Sequence, residues 1–335
     1  LRRRDVQVLT HARQANTNHS SAWANSPPIS MRANPSPAAA ASDCGIDHLV
    51  LCVNDLAQAR AAYGRLGFTT TPPAQHPFAT GNSLVQLQGN FLELLAITRP
   101  EQVSAPVPGQ FSFPAFCRDF LAEGEGLCML VFASQDARAD QAQFAAAGLQ
   151  TYAPFDFSRQ ATLPDGSQAT VAFSLAFVTH PEMQRAAFFV CQQHAPQHFW
   201  QAVYQRHANT AQQVTEVFLL AQQPQALSDW LGRLQPGRRQ EVAPESVSVH
   251  TARGTFTVLS PQGAARRFPG APLALTRGPR LVGYRVSVGN LAAAQALWQA
   301  QGIPFQRSDG VLRLAPQHAL GVVLELAAIE PSGTA

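Results

Sequence analysis

Apolar residues along this chain occur in short runs that recur in a fixed order. Residues 45–53 are rich in Leu and Val and have the composition of a strand buried on both faces. An Asn-Asp pair then provides a helix cap, residues 56–66 have helical spacing, and Gly67 stops the helix. Three further strand candidates follow, and the last covers residues 91–97. The pattern predicts a βαβββ unit.

A second copy of this unit begins with the strand-like residues 127–134. Met129 precedes Gly148, which stops the next predicted helix, by 19 residues. His48 precedes Gly67 by the same 19 residues. Because the two registers coincide, Met129 takes in the second unit the position that His48 takes in the first.

Two further copies follow. Residues 281–288 begin a copy that ends in residues 323–329, whose sequence is similar to that of residues 91–97. Residues 214–221, followed by a helical stretch at 224–234, form a weaker copy without the closing glycine. Such a unit leaves one face open and buries it against a neighbouring copy. The sequence therefore predicts an α+β fold of tandem βαβββ modules, paired into two curled eight-stranded sheets with helices outside.

The predicted modules divide the chain into two domains. Its 335 residues, 46% of them apolar, suit two cores of ordinary size. The N-terminal segment is rich in Ala, Ser, Asn and Pro and cannot offset the entropy of ordering, so we expect a disordered leader. The expected boundaries are a leader at 1–43, a first domain at 44–200, a linker at 201–211, a second domain at 212–330 and a tail at 331–335.

Composition excludes several classes of function. All 24 basic residues are arginine, so a Schiff-base lysine and a Walker-type phosphate loop are excluded. A net charge of +3 is too small to indicate a nucleic-acid surface, and no apolar run approaches the roughly 20 residues that span a bilayer. Five cysteines without a CxxC pair indicate buried free thiols in a reducing compartment. We expect a cytoplasmic monomer or homodimer with no nucleic-acid or membrane partner.

Short motifs in the first domain carry a family resemblance. They are DHLVLCVNDL at 47–56, GF at 67–68, HPFATGN at 76–82 and FLELL at 91–95. Together they resemble the glyoxalase-like branch of the vicinal oxygen chelate superfamily. FFVCQQHAP at 188–196 is similar to the closing strand of the second unit in that branch, whereas the resemblance in the second domain is faint. The resemblance implies a divalent metal on the concave face of the sheet and a small substrate that chelates it through two adjacent oxygens.

By position, the resemblance implies that His48 and Glu93 are two of the metal ligands. Imidazole and carboxylate suit Fe, Mn, Ni or Zn. The second unit departs from the family pattern, because Met129 stands at its first-strand position and the last-strand position falls within residues 188–191. The third ligand is expected from His194, which completes a two-His, one-carboxylate set, or alternatively from Gln192.

Three further polar side chains are candidates for contact with a substrate. His76 and Asn82 belong to a turn-forming stretch within the family motif. Gln192 follows an apolar strand and alternates with His194 onto one strand face. Ordinary loop and strand-exit roles are the alternative for these residues. Four arginines could orient an anionic substrate, but the surface is the default location of this residue and we assign them to it: Arg159, Arg185, Arg266 and Arg267.

The second domain repeats only part of the predicted site. Glu325 corresponds to Glu93, but its partner position is Gly283. The third unit offers Val217, or Glu216 if the register slips by one residue. Because a lone carboxylate binds metal poorly, we expect this domain to be a structural copy without a metal site.

The sequence leaves three functions open. The first is a metalloenzyme of the lyase, isomerase or dioxygenase type, in which Glu93 is a ligand and a base for proton transfer. The second is a protein that binds or sequesters a small molecule without chemistry, since Phe-rich strands suit an apolar pocket. The third is an assembly scaffold in which His48 and Glu93 are paired to each other. Fold alone does not decide among them.

Overall fold

The structure is a computed structural model that describes residues 45–275, 277–308 and 310–329. The expected leader and tail lie outside these residues, as does Cys44. Over the described part of the chain, the elements follow one another as four consecutive βαβββ modules. None of the helices in that part is long and apolar enough to cross a membrane.

The first two modules build the first sheet, and this part of the chain is called the first domain below. The first module comprises β1 (Ile46–Cys52), α1 (Leu56–Arg65), β2 (Ala74–Gln75), β3 (Thr80–Gln86) and β4 (Phe91–Ile97). A connecting helix follows, α2 (Phe113–Leu121). The second module comprises β5 (Gly126–Ala133), α3 (Ala137–Ala146), β6 (Gln150–Thr151), β7 (Phe155–Thr162), β8 (Gln168–Thr179) and β9 (Ala187–Gln193). A short helix ends this half of the chain, α4 (Pro196–Phe199).

The last two modules build the second sheet, and this part of the chain is called the second domain below. The third module comprises β10 (Ala211–Leu220), α5 (Ser228–Leu234), β11 (Gln240–Ala243), β12 (Ser246–His250) and β13 (Thr255–Leu259). A short helix links it to the fourth, α6 (Pro261–Arg267). The fourth module comprises β14 (Arg280–Val288), α7 (Leu291–Ala300), β15 (Gln306–Ser308), β16 (Val311–Leu314) and β17 (Val323–Ala328). The weak copy predicted from the sequence is therefore a module.

Helix boundaries follow from local sequence. At the start of α1, α3 and α7, a side-chain oxygen accepts a backbone N–H: those of Asp55, Asp136 and Asn290. After the same three helices, the chain turns through a glycine with positive φ: Gly67 at 91°, Gly148 at 73° and Gly302 at 64°. The equal spacings in the sequence thus mark equivalent helices.

The modules pair to form two curled sheets, as predicted. In the first domain, the strand order is β2-β3-β4-β1-β5-β9-β8-β6, and β7 pairs with the same edge of β8 as β6. Nine strand segments thus fill eight positions. The second domain has the order β11-β12-β13-β10-β14-β17-β16-β15. In both domains, the first strands of the two modules lie antiparallel at the centre of the sheet.

Strand register identifies equivalent residues in the four modules. The first strand pairs in parallel with a later strand of its own module: His48 with Phe91, Met129 with Ala187, Glu216 with Thr255, and Gly283 with Val323. Two residues further along these partner strands lie Glu93, Phe189, Thr257 and Glu325. In the third module, Glu216 and Val217 are the two candidates for the position equivalent to His48. In the central pairing of β10 with β14, Glu216 pairs with Arg285 and Phe218 pairs with Gly283. This register makes Glu216, rather than Val217, the equivalent residue.

The two domains share one apolar core. It includes one face of β1 and β10, exemplified by Leu49 and Val217, and the helices that pack on the sheets. The buried hydroxyls of Tyr63 in the first domain and Tyr284 in the second are 2.7 Å apart within it. The concave faces of the two sheets have separate apolar clusters. Each domain therefore presents its concave face away from the shared core.

Candidate functional site

The concave face of the first sheet lines a small cavity of about 50 Å³. Seven phenylalanines contribute to its lining. The polar part of the lining consists of His48, His76, Asn82, Glu93 and Arg159. An apolar pocket with a few convergent polar groups is the usual form of a small-molecule site.

His48 is oriented by its neighbours on both sides of the ring. Its Nδ1 lies 2.7 Å from Oδ2 of Asp47, a contact in which the ring N–H donates to the carboxylate. The Nε2 atom faces Glu93 Oε2 at 4.0 Å. The ring stacks on Phe91, with 4.3 Å between ring centroids. Strand β1 therefore presents a fixed imidazole nitrogen to the cavity.

Glu93 is a buried carboxylate with few partners. Its Oε1 accepts a hydrogen bond of 2.6 Å from Asn82 Nδ2. Burial raises the pKa of Glu93 above its ordinary value, against the opposing effects of His48, Asn82 and Arg159. A carboxylate in such surroundings favours a cation or a proton beside it.

His76 lies on the other side of Glu93, with 3.7 Å between its Nε2 and Glu93 Oε1. Its Nδ1 is 2.8 Å from Thr80 Oγ1, and its Nε2 is 3.2 Å from Asn82 Nδ2. Burial, with a smaller effect of the Arg159 charge, lowers the pKa of His76 to about 3. The ring is therefore neutral at physiological pH and available as a ligand or hydrogen-bond acceptor. Among the described residues, nothing hydrogen-bonds to the buried Asn82 Oδ1.

These residues fit a divalent metal at the edge of the cavity. His48 and Glu93, whose Nε2 and Oε2 atoms are 4.0 Å apart, would hold such an ion. Imidazole and carboxylate are suitable donors for Fe, Mn, Ni or Zn. Asp47 behind His48 matches the carboxylate that commonly orients a metal-bound histidine.

The second module offers a different ligand from the one expected. At its two equivalent positions stand Met129 and Phe189, neither of which binds a hard cation. Cys191, two residues further along β9, lines the cavity. Its Sγ lies within 4.8 Å of ligand atoms of Asp47 and His48. The sequence interpretation had treated this cysteine only as a buried thiol.

The structure does not bring Gln192 and His194 to the cavity. Side chains alternate along β9, so Gln192 points to the face opposite Cys191. Its amide contacts the start of α3, accepting from Ala137 N at 3.2 Å and donating to Gln135 O at 2.7 Å. His194 Nε2 is 2.8 Å from Ser174 Oγ, and its ring is not part of the cavity lining.

Arg159 was assigned to the surface from the sequence, and the structure corrects this assignment. On β7 it shares a strand face with Phe155 and Phe157, and it lines the cavity. Its charge lowers the pKa of both Glu93 and His76. The alternation of apolar and polar residues at the start of β7, Phe155-Asp-Phe-Ser158, puts Arg159 on the apolar face and is the sequence signal that could have located it.

A family model described as a glyoxalase-like domain matches residues 46–235, more than half of the chain. The chain belongs to this glyoxalase-like family. The match covers the whole first domain and the start of the second, and the predicted family resemblance is confirmed. No curated protein sequence matches the chain.

Solved structures show the same vicinal oxygen chelate fold at low sequence identity. A hypothetical protein from Staphylococcus aureus is 12% identical, with 85% of this chain and 99% of that chain covered and a TM-score of 0.59. An extradiol ring-cleaving dioxygenase from B. fuscum is 14% identical, with 89% and 75% covered and a TM-score of 0.52. A mutant 4-hydroxymandelate synthase from Streptomyces coelicolor is 11% identical, with 87% and 95% covered and a TM-score of 0.50.

Proposed function

We propose that this glyoxalase-like protein is a metal-dependent enzyme that acts on a small substrate with two adjacent oxygens. The observation that carries the proposal is the pairing of His48 Nε2 with Glu93 Oε2 across 4.0 Å, with Asp47 fixing the histidine. The reaction would be of the lyase, isomerase or dioxygenase type. Solved structures of the same fold include a ring-cleaving dioxygenase, which supports the proposal at the level of reaction class.

In this proposal, His48 and Glu93 hold the metal, and His76 or Cys191 completes the set in place of His194. When bound, a divalent metal supplies Lewis-acid polarisation of a substrate oxygen. His76 suits a ligand role because it stays neutral at physiological pH. Cys191 suits a softer metal such as Zn.

The remaining residues of the site bind and orient the substrate. The Phe-rich lining excludes water and contacts an apolar ring or chain. Arg159 provides positive charge for an anionic oxygen that develops on the substrate. Asn82 fixes Glu93 Oε1, while burial keeps the pKa of Glu93 raised, so this carboxylate is suited to accept a proton from the substrate.

Non-catalytic binding of a small molecule is the alternative, and a specific observation favours it. Met129 and Phe189 stand at the two family ligand positions of the second module. The cavity wall formed by β8 and β9 is apolar except for Cys191, with Phe173, Leu175 and Phe189 lining it. Such a wall suits sequestration of an aromatic compound.

Metal content distinguishes the two functions. We would purify the protein without a histidine tag and measure transition metals in wild type, His48→Ala and Glu93→Ala. His194→Ala is the matched control, because it removes an imidazole that hydrogen-bonds Ser174 outside the cavity. The metalloenzyme is supported if wild type and the control contain about one metal per chain and both site variants lose it. That result would justify a screen of vicinal diketones, hemithioacetals and catechols as substrates. No metal after reconstitution overturns the metalloenzyme and leaves sequestration.

A further inference from the structure

Glu325 in the second domain is fully buried and surrounded by guanidinium groups. Arg313 Nε and Nη2 donate to Glu325 Oε1 at 2.9 and 2.7 Å. Arg285 Nε and Nη2 lie 3.0 and 2.9 Å from Oε2, and Arg267 Nη2 lies 3.4 Å from the same oxygen. Three cations therefore share one buried carboxylate.

Glu216 supplies the second carboxylate of this cluster. Its Oε2 accepts from Arg267 Nη2 at 2.8 Å, and its Oε1 accepts from Thr257 Oγ1 at 2.8 Å. Arg285 Nη1 lies 3.8 Å from Oε2. With three guanidiniums and two carboxylates, this cluster keeps one surplus positive charge. A divalent cation is disfavoured here, since the arginines already occupy the space beside both carboxylates.

Aromatic rings hold the guanidinium groups in place. The Arg267 guanidinium lies 4.9 Å from the centre of the Phe218 ring, and that of Arg313 lies 5.5 Å from the centre of the Phe268 ring. Among the described residues, nothing accepts a hydrogen bond from the buried Arg267 Nε. Pre-organised guanidiniums lose little entropy when they bind an oxyanion.

These arginines line a cavity of about 460 Å³. Four arginines line it: Arg266, Arg267, Arg285 and Arg313. Arg266 is paired with Glu245, whereas the other three share two carboxylates, Glu216 and Glu325. We propose that this cavity binds a small oxyanion, a carboxylate or a phosphate, at Arg267, Arg285 and Arg313. This site is distinct from the one on the first sheet.

Calorimetric titration with inorganic phosphate and with malonate tests the proposal. The ionic strength is held constant with chloride, so that general screening does not produce the signal. The informative variant is Arg267→Gln, because Arg267 is partly exposed and Glu325 keeps Arg285 and Arg313 as partners. The matched control is Arg118→Gln, which removes an exposed arginine charge on α2.

The proposal is supported if wild type and Arg118→Gln bind either anion and Arg267→Gln binds it about tenfold more weakly. The weaker binding is expected because the variant loses a charge-assisted hydrogen bond. Binding of phosphate but not malonate would identify the ligand as phosphorylated. Binding of malonate but not phosphate would identify it as a carboxylate. Arg267→Lys keeps the charge without the planar fork, so it is expected to bind with intermediate strength. No heat of binding with either anion in wild type, or equal affinities in wild type and Arg267→Gln, would overturn the proposal.

Discussion

Glu93 and Glu325 lie at equivalent positions of two modules, each the third residue of the strand that closes its module. Both carboxylates are buried on a concave sheet face. Glu93 faces two imidazoles and an amide, whereas Glu325 faces three guanidiniums. The carboxylate at this strand position is therefore suited to bind a cation in the first domain. In the second domain, arginines already neutralise its charge.

The first prediction concerns pH and the raised pKa of Glu93. A carboxyl whose pKa is higher in the folded than in the unfolded state contributes stability below its ordinary value of 4.5. That contribution is lost as pH rises through the folded-state pKa. As pH rises through this range, we expect the free energy of unfolding of metal-free Glu93→Gln to fall less than that of metal-free wild type. The free energy of unfolding from urea titrations at several pH values measures the difference, and parallel pH profiles would contradict it.

A second prediction concerns Asp47, which orients the imidazole of His48. In Asp47→Asn the histidine keeps its place but loses its charged partner, so affinity for the metal should fall by about 10- to 100-fold. Competition with a chelator of known affinity measures the change. Asp136→Asn, at the cap of α3, is the control and should leave the affinity unchanged. Unaltered affinity in Asp47→Asn would remove the supporting role of this carboxylate.

Much of the fold could be predicted because it depends on local sequence signals. The caps and glycines that bound α1 and α3 are next to the helices they define. The βαβββ repeat was visible because those signals recur with equal spacing. The connecting helices α2 and α6 were not predicted, since they lie between modules and repeat no pattern.

The candidate site could be predicted only in part. His48, His76, Asn82 and Glu93 belong to one module, whose motifs carry the family resemblance, and the structure brings them together. The second half of the site depends on which way each side chain of β9 points. A shift of one residue exchanges the two faces, and the sequence alone did not fix that register. For this reason Cys191 was not distinguished from Gln192 and His194.

A third prediction concerns the hydrogen bond between Tyr63 and Tyr284, which joins the two domains. Either single change to Phe leaves a buried hydroxyl without its partner and should cost about 1–3 kcal/mol of unfolding free energy. The double change to Phe should cost less than the sum of the single changes, because it leaves no unpaired hydroxyl. Tyr204→Phe, at a half-buried position, is the control. Strictly additive effects of the two substitutions would show that the hydroxyls are not coupled.

The last prediction concerns Arg159, whose charge acts on both ionisable groups at the centre of the cavity. In Arg159→Gln, loss of the positive charge should raise the pKa of His76, because a nearby cation disfavours the protonated ring. The pKa of Glu93 should rise as well, since its ionised form loses a favourable charge. Titration of the His76 ring signals by NMR measures the first shift. Arg138→Gln is the control, because it removes the same charge from an exposed arginine that is paired with Asp156 and does not line the cavity. If both variants leave the His76 titration unchanged, Arg159 does not set the electrostatics of this site, and its proposed action on an anionic substrate oxygen fails with it.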